Sequence, residues 1–230
     1  MKKAVFVTGT DTGVGKTVIT GLLARYLQSR GLNVITQKWV QTGSGLSGSD
    51  VQTHLKIMGR RFKEVSDISR LIAPYVFKLP ASPHLAAASE RKKISHRKII
   101  YSFKALLRRF DFVLVEGAGG VMVPLNRKSL MIDIVKMLNM PVLLVCPNRL
   151  GAINQALLAI GALKRLKLKI LGVIFINSPG QNKKIIKDNP EIIRRFSGIN
   201  ILGILPWNKN HRYLYRRFLP AAGKIEKALK

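Results

Sequence analysis

A glycine-rich loop near the start of the sequence has the residue types that bind the phosphates of a nucleotide. It covers residues 9–17 and reads Gly-Thr-Asp-Thr-Gly-Val-Gly-Lys-Thr. Glycines let successive backbone N–H groups point at phosphate oxygens, the lysine reaches the outer phosphates, and the hydroxyl ligates Mg²⁺. The predicted phosphate-binding residues are Gly13, Val14, Gly15, Lys16 and Thr17.

The loop is a variant of the usual pattern. Thr10 stands where Gly-x4-Gly-Lys-Thr would place its first glycine, and Gly9 lies one residue earlier. Partitioning-type ATPases have a second lysine five residues before the loop lysine, and here that position is Asp11. The sequence therefore argues against membership of the partitioning group. The alternative for the loop is a glycine-rich turn that contains Gly-Lys-Thr by chance.

Two carboxylates are candidate ligands of a nucleotide-bound Mg²⁺, together with Thr17. Glu116 follows an apolar run and precedes Gly-Ala-Gly-Gly, and Asp50 begins a predicted helix after a loop rich in Gly and Ser at 42–49. Carboxylate oxygens are the hard ligands that Mg²⁺ prefers. The alternative for Asp50 is a helix N-cap, which aspartate serves well. The alternative for Glu116 is an acid in a surface turn.

Two further features suit anionic ligands. Lys38 ends the second predicted strand, where a cation beside Lys16 would stabilise charge on a transferred phosphoryl group. Its alternative is a solvated lysine, one of 40 Lys and Arg residues. Residues 149–154 open a helix after another strand, so the free backbone N–H groups of that helix offer an anion site.

The elements that position these residues alternate between strand and helix. Apolar, β-branched runs predict strands, and helical spacing of apolar residues predicts a helix after the phosphate loop. The predicted strands are 4–7, 33–39, 75–77, 111–116, 141–146, 169–176 and 200–205; the other predicted helices begin at Asp50 or cover 83–88, 98–109, 131–138 and 153–166. This order predicts an α/β fold: a doubly wound, mostly parallel sheet with helices on both faces, as in P-loop NTPases. Ligands then bind at the carboxyl ends of the strands.

Length and composition favour a single domain over residues 1–230. The hydrophobic content of 47% is enough to bury a substantial core. The one cysteine, Cys146, lies in an apolar run and cannot form a disulfide within the chain, which favours a reducing compartment and hence the cytoplasm. The first apolar run leads directly into the phosphate loop, so it is interpreted as a strand and not a signal peptide. We expect no membrane association.

The formal charge of +29 favours anionic partners. The basic residues fall in several clusters, at 60–63, 91–93, 164–169 and 212–217. A nucleic-acid surface is one interpretation, because aromatic residues that could stack on bases, Trp207, Tyr213, Tyr215 and Phe218, accompany the last cluster. The other is a general basic bias with solvated side chains, and we expect no specific nucleic-acid partner.

Taken together, the motifs resemble those of the dethiobiotin synthetase family. The resemblance covers nearly the whole chain and rests on the loop at 8–17, Lys38 with Gln41-Thr42-Gly43, Ser82-Pro83-His84, the segment 115–120, and Leu150-Gly151 with Ile153-Asn154. Cobyrinate amidases carry similar ATPase domains, so the loop alone is weakly specific and the combination is highly specific. The resemblance implies a homodimeric, Mg²⁺- and ATP-dependent ligase of biotin synthesis that acts on 7,8-diaminopelargonate and CO₂ or bicarbonate.

The resemblance also implies roles for individual residues. Lys16, Lys38 and Thr12 are the expected catalytic residues, and Thr17, Asp50 and Glu116 the expected Mg²⁺ ligands. Thr12, Lys38 and Thr42 would contact the carbamate or diamine, Gly151 and Ala152 of the partner subunit would bind the distant carboxylate, and Asn177, Pro206 and Trp207 would bind the nucleotide base. The chain departs from the family at Trp39, where proline is usual, and at Ser178, where an acid is common.

Two rival functions share the fold and the loop. One is an amide-forming ATPase acting on corrinoid carboxylates, although 230 residues leave no room for the glutaminase domain that usually accompanies it. The other is a nucleotide-dependent switch or nucleic-acid-binding ATPase, which would use the positive charge. Strict dependence of ATP consumption on the diamine and bicarbonate separates enzyme from switch.

Overall fold

Parallel strands form the centre of the computed structural model, which describes residues 4–43 and 49–229. In chain order the strands are β1 (Ala4–Gly9), β2 (Val34–Lys38), β3 (Val40–Thr42), β4 (Tyr75–Phe77), β5 (Phe112–Gly120), β6 (Pro124–Asn126), β7 (Ser129–Leu130), β8 (Val142–Asn148), β9 (Ile170–Asn177) and β10 (Ile201–Leu205). Six of these strands form one sheet in the order β10-β9-β8-β1-β5-β2, and every pairing in it is parallel. β3 pairs with β4 and β6 with β7 in two small separate sheets.

Helices connect the strands and cover the sheet. They are α1 (Lys16–Ser29), α2 (Asp50–Met58), a 3₁₀ helix (Phe62–Ile68), α3 (Ser69–Ile72), α4 (Pro83–Ser89), α5 (His96–Arg109), α6 (Met131–Met137), α7 (Ala152–Arg165), α8 (Lys183–Ser197) and α9 (His211–Leu229). Every residue of β1, β2 and β8 is buried, so these strands are covered on both faces. This confirms the predicted doubly wound α/β fold.

The predicted strands and helices have counterparts in the structure, with shifted ends. The second strand ends at Lys38, one residue before the predicted end. Trp39 follows it and is fully buried, with its ring centroid 5.2 Å from that of Phe6. The prediction lacked β3, the 3₁₀ helix, α3, α8, α9 and the pair β6–β7. Residues 44–48 of the predicted Gly/Ser loop lie outside the described residues.

Strand register brings the predicted site residues to one edge of the sheet. Glu116 of β5 is level with Val7 of β1 and with Lys38 of β2. Beyond this edge lie the phosphate loop, which joins β1 to α1, and the first turn of α2. Among the described residues, no helix has both the length and the apolar character needed to cross a bilayer.

Candidate functional site

The phosphate loop lies between β1 and the first turn of α1. Gly13 and Gly15 both adopt positive φ angles, 73° and 98°, which favour glycine. Lys16, the first residue of α1, folds back over the loop and its Nζ donates a hydrogen bond to the Asp11 carbonyl oxygen at 2.6 Å. Burial, and then the nearby charge of Lys38, lower the pKa of Lys16 to about 8. The loop therefore holds a buried cation without a carboxylate partner among the described residues.

Three oxygen donors from three different elements meet beside this loop. The Thr17 hydroxyl lies 3.1 Å from Asp50 Oδ1 and 3.1 Å from Glu116 Oε1. A hydroxyl and two carboxylates form a hard donor set that suits Mg²⁺. In the described part of the chain, no group of three or more His, Cys, Asp or Glu is arranged to hold a metal ion. The protein would thus supply part of the coordination shell, and phosphate oxygens and water the rest, as is usual for Mg²⁺.

Lys38 is buried between the two carboxylates. Its Nζ lies 2.7 Å from Glu116 Oε1 and 2.8 Å from Asp50 Oδ2, and it donates to the Gly117 carbonyl oxygen at 2.9 Å. Burial alone would lower the pKa of Lys38, but the charges of Glu116 and Asp50 outweigh it and the pKa is raised. The alternative of a solvated lysine is wrong, because the side chain is enclosed and uses all three of its donor hydrogens.

Glu116 is the centre of this charge network. Burial would raise its pKa, but Lys38 and the hydrogen bond from His54 lower it to about 2. His54 Nε2 lies 2.6 Å from Glu116 Oε2, and both side chains are almost inaccessible to solvent. Glu116 therefore stays ionised at neutral pH, and the alternative of an acid in a surface turn is wrong.

Asp50 begins α2 without acting as its cap. The N-cap is Ser49, whose hydroxyl accepts a hydrogen bond from the Gln52 backbone N–H. The Asp50 carboxylate is thus free to face Lys38 and Thr17, and its backbone N–H donates to Gln41 Oε1 at 3.2 Å. The N-cap alternative for Asp50 is wrong for this reason.

A cleft of about 620 Å³ opens over these groups. It is lined by Thr12, Gly13, Gly15, Lys16, Thr17, Lys38, Thr42, Asp50 and Glu116, together with the segment 80–83, Val40, Gln41, Ala118, Gly119 and Val123. The structure therefore brings together the predicted phosphate, metal and diamine residues. Gly151 and Ala152 lie at the start of α7, after β8, and do not line this cleft.

A second, smaller cavity of about 210 Å³ lies on the other side of the phosphate loop. Its lining includes the three predicted base-binding residues, Asn177, Pro206 and Trp207, and also Gly13, Val14 and Gly15. The Asn177 side-chain oxygen accepts a hydrogen bond from Asn148 Nδ2 at 3.0 Å, and Asn189 Nδ2 donates to Asn148 Oδ1 at 3.0 Å. A nucleotide whose phosphates lie on the loop can place its base in this cavity.

The sequence reasoning gave no role to three residues of the network, although it named Gln41 as part of a family motif. These are His54, which contacts Glu116; Gln41, which contacts Asp50; and Asn148, which contacts Asn177. One signal was present for His54: it lies four residues after Asp50, so the two share one face of a helix. No sequence signal pointed to Asn148, because its role depends on how α8 packs against β8.

Comparisons with known proteins give a family and a fold. The model of a family described as "AAA domain" matches residues 3–212. The ATP-dependent dethiobiotin synthetase BioD 2 of Haemophilus influenzae is 40% identical over 187 residues, which cover 81% of this chain and 97% of that protein. The ATP-dependent dethiobiotin synthetase BioD of Thermodesulfovibrio yellowstonii is 36% identical over 215 residues, with 90% of each chain covered.

Solved structures share the fold at much lower identity. The cell division ATPase MinD of Pyrococcus furiosus superposes with a TM-score of 0.62 at 19% identity, with 99% of each chain covered. ParA of pNOB8, solved bound to nonspecific DNA, gives a TM-score of 0.61 at 13% identity, with 100% of this chain and 99% of that chain covered. At such identities the likeness concerns the architecture alone.

Proposed function

The chain belongs to the ATP-dependent dethiobiotin synthetase family, and we propose that it closes the cyclic urea of dethiobiotin from 7,8-diaminopelargonate, CO₂ and ATP. One observation from the structure carries the proposal. The loop cation Lys16, the buried Lys38 and the oxygens of Thr17, Asp50 and Glu116 converge on one cleft. These are the groups that a phosphoryl transfer to an anionic acceptor requires.

The reaction begins with carbamate formation. One amine of the diamine attacks CO₂, forming a C–N bond and losing a proton, which leaves a carbamate anion. Lys16 and Lys38 are the cationic side chains among the described residues that line the cleft. Lys16 has no carboxylate partner among them and can hold this charge, whereas Lys38 can do so only by exchanging a contact with Asp50 or Glu116 for one with the carbamate. The hydroxyls of Thr12 and Thr42 line the same cleft and are candidate hydrogen-bond partners of the carbamate and the diamine.

The carbamate oxygen then attacks the γ-phosphorus of ATP, and the bond to the ADP oxygen breaks. Lys16 and the N–H groups of the loop hold the phosphates during this step. Mg²⁺, held by Thr17, Asp50 and Glu116, would neutralise charge on the phosphate oxygens. The second amine finally attacks the carbonyl carbon of the mixed anhydride. The C–O bond to phosphate breaks, phosphate leaves, and loss of the amine proton completes the cyclic urea.

The proposal includes a homodimer. In this chain the first turn of α7 does not line the cleft. The positive end of a helix suits a carboxylate, although the Ala152 N–H would have to exchange its hydrogen bond to the Arg149 carbonyl oxygen, 3.1 Å away, for one to the ligand. We propose that Gly151 and Ala152 of a second copy bind the distant carboxylate of the diamine. Leu150, beside them, is 75% exposed in the single chain, which is consistent with an intersubunit contact. The buried, unbridged Cys146 supports a cytoplasmic location.

The test is the dependence of ATP consumption on the other substrates. Purified protein with ATP and Mg²⁺ should release phosphate only when 7,8-diaminopelargonate and bicarbonate are both present, and mass spectrometry should detect dethiobiotin. An analogue with one amine replaced by hydrogen is the matched control and should give no cyclic urea. If phosphate were released at the same rate with and without the diamine, the result would instead support a nucleotide-dependent switch.

A further inference from the structure

We infer that His54 is a positioning residue that fixes the carboxylate of Glu116 in the orientation in which it serves the magnesium site. The inference rests on the proposed function for the role of that site.

The two oxygens of Glu116 have different partners. Oε1 faces the cleft, where it lies 2.7 Å from Lys38 Nζ and 3.1 Å from the Thr17 hydroxyl. Oε2 points away from these groups, and His54 Nε2 lies 2.6 Å from it. Because a carboxylate only accepts hydrogen bonds, Nε2 must carry the proton and donate it. His54 thus holds one oxygen and leaves the other directed at the metal position.

His54 lowers the stability of the folded state in a way that an apolar residue would not. Its side chain is fully buried, and Nδ1 has no hydrogen-bond partner among the described residues. A buried polar atom without a partner lowers the stability of the folded state. A histidine placed here only to fill the core would be a poor choice compared with leucine. The single hydrogen bond to Glu116 is the feature that distinguishes the imidazole from an apolar side chain.

Helix α2 links His54 to the other metal-site carboxylate. Asp50 and His54 are four residues apart and lie one turn from each other on one face of α2. This face packs against α1 at Gly21, where an added Cβ would lie 3.3 Å from His54 Cα and 2.9 Å from Ile57 Cδ1. The close approach of α1 and α2 therefore holds both Asp50 and His54, the residue that contacts Glu116, beside the metal position.

The experiment measures how Mg²⁺ supports ADP binding, by isothermal titration calorimetry at several Mg²⁺ concentrations. His54→Leu should raise the Mg²⁺ concentration that gives half of the maximal ADP affinity by about 10-fold or more, the usual effect of losing a hydrogen bond to a metal ligand. His54→Gln should restore most of the wild-type dependence, because its amide N–H can reach the position of Nε2. His54→Asn is too short to reach Glu116 and should resemble His54→Leu.

The control is Leu55→Ala, which truncates the neighbouring buried residue of α2 and should lower thermal stability without changing the Mg²⁺ dependence. A wild-type Mg²⁺ dependence in folded His54→Leu would overturn the inference, as would equal defects in the Gln and Asn variants. If the Leu variant does not fold, the Gln and Asn pair decides. The calorimetry contains no diamine, so its outcome is separate from the test of the proposed function.

Discussion

Lys16 and Lys38 have different electrostatic surroundings although both line the cleft. Lys38 is neutralised by Glu116 and Asp50, whereas Lys16 contacts a backbone carbonyl and has no carboxylate partner among the described residues. The charge of Lys16 is therefore available to phosphate oxygens. Desolvation and the charge of Lys38 oppose this buried cation, so its removal should not harm folding.

We predict that Lys16→Ala loses nearly all turnover. A cation that faces the charge of a transferred phosphoryl group typically contributes about 100-fold or more to the rate. The measurement is kcat for diamine-dependent phosphate release, with a thermal melt to confirm folding. Lys104→Ala, on the exposed face of α5, is the matched control and should behave as wild type. If the variant retained more than about a tenth of the wild-type rate, Lys16 would not be the residue that stabilises the transition state.

We predict that Asp50→Asn and Glu116→Gln both raise the Mg²⁺ requirement, because each removes an anionic oxygen from the proposed site. Their stabilities should differ, since the Asp50 side chain is 31% exposed and that of Glu116 only 2%. Removing one partner of a buried ion pair typically costs about 3–5 kcal/mol, so Glu116→Gln should also melt at a lower temperature.

A Mg²⁺ titration of turnover at fixed ATP, combined with thermal melts, checks both effects. Asp188→Asn alters an exposed carboxylate of α8 and serves as the control. Unchanged Mg²⁺ dependence in both cleft variants would show that these carboxylates serve only to neutralise Lys38.

At the scale of elements, the phosphate loop depends on its contact with β9. Gly15 has φ 98°, and an added Cβ would lie 2.1 Å from Ile176 Cδ1. A residue with a Cβ is strained in this left-handed conformation by roughly 1–2 kcal/mol. The clash adds to this cost, because either the loop or the Ile176 side chain must move. Gly15 lines both the cleft and the smaller cavity, so such a movement would change the nucleotide site.

We therefore predict that Gly15→Ala weakens ADP binding by about 10-fold or more, a loss of about 1.4 kcal/mol or more in binding free energy. Calorimetric titration with Mg–ADP measures this. Gly161→Ala on α7 is the matched control, because nothing lies within 4 Å of its added Cβ. That variant should bind normally and be up to about 1 kcal/mol more stable. Normal ADP affinity in Gly15→Ala would mean that the loop tolerates the displacement.

Sequence patterns found the elements whose signals are local. The run at 75–77 is a strand with the predicted bounds, and α2 begins at Asp50 as predicted. They missed α8, which has Pro190 in its interior. Proline cannot donate to the carbonyl four residues earlier, here that of Ile186. In the structure Asn148 Nδ2 donates to this carbonyl at 2.9 Å, so a tertiary contact from β8 compensates for the missing helical bond.

In the candidate site too, residues with local sequence signals could be predicted, and contacts that depend on tertiary packing could not. The phosphate loop could be predicted because one short segment supplies all of its groups. Lys38 and Glu116 could be placed together because parallel strands align their carboxyl ends. The contacts of His54 and Asn148 could not be predicted, because they depend on how α2 and α8 pack against the sheet. Whether Asp50 caps α2 was also undecided, since Ser49 and Asp50 are both good N-cap residues.

At the scale of the whole molecule, the described lining of the cleft contains only two of the 40 Lys and Arg residues that give the chain its charge of +29. The structure weakens the case for an aromatic stacking platform near the C-terminus. Phe218 is fully buried, and the ring of Tyr215 lies under the Arg25 guanidinium at 4.4 Å. Trp207 and Tyr213 are exposed, but Trp207 also lines the proposed base cavity. The four residues do not form one exposed surface.

One of the basic clusters and a further pair of basic residues line one groove. Residues 91–93 and 127–128 line a groove of about 1210 Å³, together with His84 and His96. Its lining also includes apolar residues such as Leu85, Ile94 and Leu125, and none of its described lining residues is acidic. Glu90 pairs with Lys92 at 2.8 Å, so the lining cations left for a polyanion are Arg91, Lys93, Arg127 and Lys128.

We predict that RNA or DNA binds weakly, without sequence preference, and dissociates as salt increases, because such binding would come from counterion release. Fluorescence anisotropy with labelled oligonucleotides of different sequence, at low and physiological salt, measures this. Replacing Lys93 and Arg127 by alanine should weaken the low-salt binding, whereas diamine-dependent turnover should stay at the wild-type rate. Added nucleic acid should not change that turnover either. Sequence-selective binding that persists at about 0.2 M salt, or stimulation of turnover by RNA, would instead make the basic groove a functional site.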